Sequence, residues 1–161
     1  MDNNVSNAFL WFITNILNNK ILMISVFSWM TAGIIKVLVN LIITKKINLL
    51  LIMSSGGMPS SHTATVVSLL LSVGMYRGLD TAEFAIASIF AIVVIHDAMG
   101  VRFETGKQAK ILNQIIFDTN IFSDINEEKL KEYVGHTPLQ TLCGAIVGIL
   151  VFIFMTNIIN V

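Results

Sequence analysis

Charge is scarce in this chain. Aspartate, glutamate, lysine and arginine make up 12% of its 161 residues, where a soluble domain carries about 25%. Ten basic residues balance ten acidic ones, so the formal net charge is zero. That balance supplies no basic surface for a nucleic acid, and none is expected as a partner. One cysteine, Cys143, cannot form an internal disulfide, and its apolar neighbours mark it as a small core residue. No cysteine and histidine cluster has metal-ligand spacing, so neither a metal nor another cofactor is expected. Strand-like alternation and internal repeats are missing too. Residues 1–7 are polar, with one aspartate and no basic cluster, which does not read as a cleaved signal peptide.

Apolar sequence is plentiful. Hydrophobic residues make up 55% of the chain and the mean hydropathy is +0.78, the signature of an integral membrane protein. The expected fold is all-α, a polytopic membrane helix bundle forming a single domain over 1–161. A span needs about 20 apolar residues. Four stretches serve, at 21–43, 59–77, 81–101 and 138–159. Val5 to Leu17 is short for a span and is expected to form an interfacial or tilted helix, with Trp11 at headgroup level. Arg102 to Gly135 is the long polar segment. Within it Thr105 to Phe117 has the apolar spacing of a surface helix, and Asp124 to Glu132 is charged and solvated.

The most distinctive stretch is Gly56-Gly57-Met58-Pro59-Ser60-Ser61-His62. Pro59 suits the first turn of a helix, where its missing N–H is not needed. Ser60 and Ser61 add hydroxyls beside the free amides of that turn, and such a turn attracts phosphate. Gly135-His136-Thr137-Pro138 is a second start of the same kind, with Thr137 at a capping position. If the spans alternate, these two starts and the end of the third span, Asp97 to Arg102, lie on one face of the membrane. Two histidines around a phosphate-sized anion can work as a phosphatase. One imidazole attacks phosphorus and the other protonates the leaving alkoxide. Cations and backbone amides stabilise the equatorial oxygens.

The cations are at hand. Arg102 offers a bidentate fork, and Lys107 and Lys110 follow it. Lys36 lies nine residues before Lys45, roughly 13 Å into its helix, and a charge at that depth marks a functional site by default. Asp97 is expected to pair with Arg102 or Lys36, and His96 to be structural.

Together the Gly-Gly-Met-Pro-Ser-Ser-His stretch, Asp97 with Gly100-Val101-Arg102, Gly106-Lys107-Gln108-Ala109 and Gly135-His136-Thr137-Pro138 resemble the divergent branch of the type-2 phosphatidic acid phosphatase superfamily. The resemblance runs from about Lys36 to Gly148. It implies a membrane-embedded phosphatase acting on a lipid phosphate without a cofactor. It further implies that His136 is the nucleophile and His62 the acid. Lys36, Ser60 and Ser61 then bind phosphate, joined by Arg102 and Lys107. The chain departs from the wider superfamily at several positions. Ser61 replaces a glycine, Leu130 stands where an arginine is usual, and no Arg-Pro follows Lys36. Gln140 replaces the carboxylate that orients the nucleophile, which leaves Gln140 or Asp97 as the supporting group.

Lys45, Lys46, Arg102, Lys107, Lys110, Lys129 and Lys131 fall on the face that carries the site, against Lys20 and Arg77 opposite. The positive-inside rule then puts the site in the cytoplasm, where inner-leaflet lipids such as a phosphatidylglycerol phosphate are made. The competing class is a small transporter or assembly protein that uses Lys36 and Asp97 as intramembrane charges. A vanadate-dependent haloperoxidase would share the site geometry, but the hydrophobic chain suits a lipid substrate better.

Overall fold

The computed structural model describes residues 2–54, 56–118, 130 and 135–158. The chain runs as α1 (Asp2–Asn18), α2 (Lys20–Thr44), a short 3-10 turn at Leu49–Met53, α3 (Ser61–Arg77), α4 (Ala82–Met99), α5 (Val101–Asn113), a π-helical turn at Gln114–Asp118, and α6 (Pro138–Ile158). The described residues contain no strand. Among the described residues three helical stretches are long and apolar enough to cross a membrane: Lys20–Thr44, Ala82–Ile116 and Pro138–Ile158.

The fourth expected span, α3, differs from these. Its 17 residues give a rod of about 26 Å, short of the ~30 Å hydrocarbon core. It also carries buried hydroxyls at Ser61, Thr63, Ser68 and Ser72. Those side chains are tolerated because protein surrounds them. α3 is the central helix, packed against α2, α4 and α6. Ser28 on α2 donates its hydroxyl to the Ala64 carbonyl at 2.9 Å. From the other side Gly144 and Gly148 of α6 lie so close that a methyl group at either would strike the carbonyl oxygen of Ser60 or Ala64. This Gly-x-x-x-Gly pair lets two backbones approach, the usual way helices associate in lipid, where hydrophobicity alone does not drive them together.

The expected boundaries shift in three places. α3 begins at Ser61 and not at Pro59, because the Ser60 side chain accepts the Thr63 amide and so acts as N-cap. Pro59 stands one residue before the cap, following a cis Met58–Pro59 peptide. The surface helix begins at Val101, directly after Gly100, so α5 continues α4 almost without a gap. α1 is 17 residues long, capped into α2 by Asn19, whose side chain accepts from the Leu22 amide. α1 packs only against α2 among the described residues. Phe9, Leu10, Trp11 and Phe12 stay exposed. The charged stretch Asp124 to Glu132, with Lys129 and Lys131, lies outside the described residues apart from Leu130. Leu130 is held by Asn113, whose side-chain amide donates to its carbonyl and accepts from its N–H, both at 2.9 Å.

Candidate active site

Three chain segments meet at one end of the bundle. The His136 amide donates to the Ala98 carbonyl at 2.9 Å, which fixes the segment before α6 against the end of α4. The Ser60 amide donates to the Gln140 carbonyl at 3.0 Å, which fixes the start of α3 against the start of α6. The rings of His62 and His136 come to 6.0 Å between centroids, inclined by 57°. A cavity of about 200 Å³ is lined by both histidines, Val93, Val94, Asp97, Ala98 and Arg102.

The start of α6 is a capping box. The Gln140 amide donates to the Thr137 hydroxyl at 3.3 Å, and the Thr137 amide donates back to Gln140 Oε1 at 3.0 Å. The same Oε1 lies 3.4 Å from His136 Nδ1. An oxygen that already accepts from a backbone N–H is the carbonyl end of the side chain, so it can only accept from the ring as well. That places the proton on Nδ1 and leaves the lone pair on Nε2. His136 is 1% exposed, and its Nε2 is buried with no hydrogen-bond partner. An unpaired buried acceptor in a native site needs a reason. Burial holds the His136 pKa down to about 4, helped by the Lys36, His62 and Arg102 charges and opposed by the Gln140 hydrogen bond. The ring is therefore neutral at pH 7.

The start of α3 is built differently. Ser60 is fully buried, and its Oγ accepts from Thr63 N at 3.3 Å and from the Thr63 hydroxyl at 3.0 Å. The Ser60 oxygen thus sits inside the cap, and Ser61 is buried beside it. The Ser61 and His62 amides form no hydrogen bond among the described residues. They are the open donors of that first turn.

Lys36 does not extend toward the headgroups. It is 2% exposed, and its ammonium donates to the Ser54 carbonyl at 3.0 Å. Gly57, at φ +92°, passes so close that a Cβ would come within 3.2 Å of the lysine stem. Only glycine suits both demands. Lys36 lines a second cavity, of about 280 Å³, with Gly57, Met58 and Gln140. Arg102 donates through Nε to Asp97 at 2.5 Å, with both side chains partly exposed, so Asp97 serves the arginine. Lys107 is not brought to the histidines. It pairs with Glu104 at 2.7 Å and lines a third cavity. His96 is exposed on α4, away from the site. Thr141 was not expected in this region. Its hydroxyl is buried near the start of α6 without a partner, and a threonine in an apolar helix carries little signal of such a place.

Residues 17–151 match the Divergent PAP2 family. The chain belongs to this family. It is also 38% identical over 148 residues to the uncharacterized membrane protein YuiD of Bacillus subtilis (strain 168), covering 84% of this chain and 92% of that protein. No solved structure matches the chain.

Proposed function

We propose that this protein is a membrane-embedded lipid phosphate phosphatase, hydrolysing a phosphomonoester or pyrophosphate lipid through a phosphohistidine. The observation that carries the reading is His136: buried, neutral, its proton fixed on Nδ1, with an unpartnered Nε2 beside a cavity shared with His62 and Arg102. Membership in a PAP2-related family supports it.

Nε2 attacks phosphorus and forms the N–P bond while the P–O bond to the lipid breaks. Protonated His62 gives its proton to the departing alkoxide. The neutral His62 then takes a proton from water as that water attacks phosphorus. The N–P bond breaks, inorganic phosphate leaves, and both histidines return to their starting forms. Arg102 binds the equatorial oxygens, steadied by Asp97, with the Lys36 charge and the open Ser61 and His62 amides in support. Gln140 keeps the nucleophile in its tautomer without a carboxylate. It supplies no charge to the imidazolium, which agrees with the low His136 pKa.

The competing transporter reading treats Lys36 and Asp97 as mobile intramembrane charges. Lys36 bonded to Ser54 and Asp97 bonded to Arg102 favour the phosphatase instead. The charge asymmetry between the two faces supports a cytoplasmic site, where a phosphatidylglycerol phosphate is a fitting substrate. A tag at Glu127 reached from outside the cell would overturn that sidedness. The reaction is tested by phosphate release from a panel of lipid phosphates in detergent. His136→Ala is expected to lower the rate about a thousandfold or more. Equal rates in the two proteins would end the phosphohistidine reading.

A further inference from the structure

The chain segment that carries His136 is a wall between two cavities. His136 itself lines the one shared with His62 and Arg102. Its neighbours Gly135 and Thr137, with Gln140, line the other, of about 290 Å³, together with Gly57, Phe103, Gly106, Lys107 and Lys110. This third cavity exceeds the one lined by the histidines, at about 200 Å³. Its α5 residues fall at 103, 106, 107 and 110, a single helical stripe. Gly135 lets this segment pack directly on the start of α5, since a Cβ there would collide with the Arg102 and Phe103 backbone.

The charges in this cavity are not balanced. Lys107 is held by Glu104 at 2.7 Å and lies over the Phe103 ring at 4.6 Å from its centroid. Lys110 has no acidic partner among the described residues. Lys36 lines the adjoining cavity, which shares Gly57 and Gln140 with this one. No acidic side chain lines the cavity among the described residues. A cation-lined space one residue away from a phosphate-attacking nitrogen suits a second anionic group on the molecule being attacked.

We propose that this cavity is a second anion subsite, in which Lys107 and Lys110 hold the non-reacting phosphate of a lipid that carries two phosphates in one head group. The inference rests on the phosphatase reading and narrows it. The terminal phosphomonoester sits by His136 Nε2, and the phosphate nearer the lipid lies across the Gly135–Thr137 wall. Selection then comes from charge on the far side of the nucleophile.

The test is a binding measurement, made in the His136→Ala background so that no lipid is consumed. Native mass spectrometry of the full chain in neutral detergent compares dioleoyl phosphatidylglycerol phosphate with dioleoyl phosphatidic acid. The two-phosphate lipid is expected to bind about tenfold more tightly, the worth of one or two charge-assisted hydrogen bonds. Adding Lys107→Ala and Lys110→Ala should bring that ratio close to one. Replacing Lys45 and Lys46 with alanine, which removes the same charge elsewhere, should leave the ratio in place. The preference should also persist in a large excess of inorganic phosphate. Four results would each overturn the proposal: no preference at the start, a preference that survives loss of Lys107 and Lys110, an equal loss on replacing Lys45 and Lys46, or abolition by inorganic phosphate, which would mean that the lysines hold a free anion. The phosphohistidine reading is decided separately, by phosphate release with and without His136.

Discussion

The two helix starts that form the site look alike in sequence and differ in build. At α3 the cap is Ser60, and His62 lies inside the first turn, half-buried beside the open amides. At α6 the cap is Thr137 in a reciprocal box with Gln140, and His136 precedes it, buried and tied through Nδ1. A proton carrier has to reach water and leaving group alike, so partial access suits His62. A nucleophile needs one bare nitrogen in one orientation, so burial and a fixed tautomer suit His136. In the proposed mechanism a capping residue doubles as the orienting group of the attacking ring. Gln140 closes the helix cap and meets the His136 ring with one oxygen.

Several substitutions would break or sharpen that contrast. The largest difference is expected between the histidines themselves. His136→Ala should abolish phosphohistidine formation, read as loss of the acid-labile phosphoenzyme trapped from a radiolabelled substrate. His62→Ala should slow alkyl phosphate hydrolysis about a hundredfold yet recover much of that with p-nitrophenyl phosphate, whose leaving group needs no acid. Equal losses on both substrates would remove the division of roles.

Next comes Gln140. Gln140→Leu removes the acceptor for both Thr137 N–H and His136 Nδ1, and kcat should fall by about ten- to a hundredfold. Gln140→Glu keeps an acceptor for the cap and adds a charge that stabilises the imidazolium. The acid limb of the pH–rate profile, expected near pH 4 from His136, should then move upward. No movement would show that Gln140 does not act on the ring. The same shift bears on stability. Unfolded, the imidazole binds its proton below about pH 6.5, and folded only below about 4. The unfolded state therefore holds more protons between those values, and stability should fall as pH drops through that window. Urea unfolding at pH 7 and pH 4.5 would measure it.

The close approach of α6 to α3 sets both starts in place. Gly148→Leu forces the backbones apart and should destabilise the protein by about 3 kcal/mol, seen as a lower Tm. Because the contact also holds Ser60 near Gln140, activity should fall further than stability predicts. The smallest effects belong to the caps. Ser60→Ala and Thr137→Ala should each lose about 1 kcal/mol of stability. Only the α6 change is expected to disturb the acid limb, since the hydroxyl lost there bonds Gln140, whereas Ser60 meets Gln140 through its backbone alone.

Much of this protein could be read from its residues. Long apolar runs with few charges specify crossing helices wherever they stand, so Lys20–Thr44 and Pro138–Ile158 fall within a residue or two of the expected bounds. Pro-Ser-Ser-His and Gly-His-Thr-Pro mark helix starts by local chemistry, and the structure brings the two together. The Gly-x-x-x-Gly contact was legible in principle at Gly144 and Gly148, as a spacing of small residues. Other features were not. Pro59 fits either inside or just outside a first turn, and the Ser60 bond to Thr63 decides between them. Lys107 follows Arg102 closely in sequence, yet α5 turns it to the far side of the Gly135–Thr137 wall.

What the sequence alone determined is the membrane fold, the two histidine-bearing helix starts and the cations near them, because periodicity and capping are local properties. Only the tertiary structure decided which nitrogen of His136 is bare, which direction Lys36 takes and which cation shares a cavity with the histidines. Ser54 and Gly57 fix Lys36 from many residues away, Ala98 holds the His136 backbone so that its ring meets Gln140, and the α4–α5 junction at Gly100 directs Arg102 and Lys107 to different cavities.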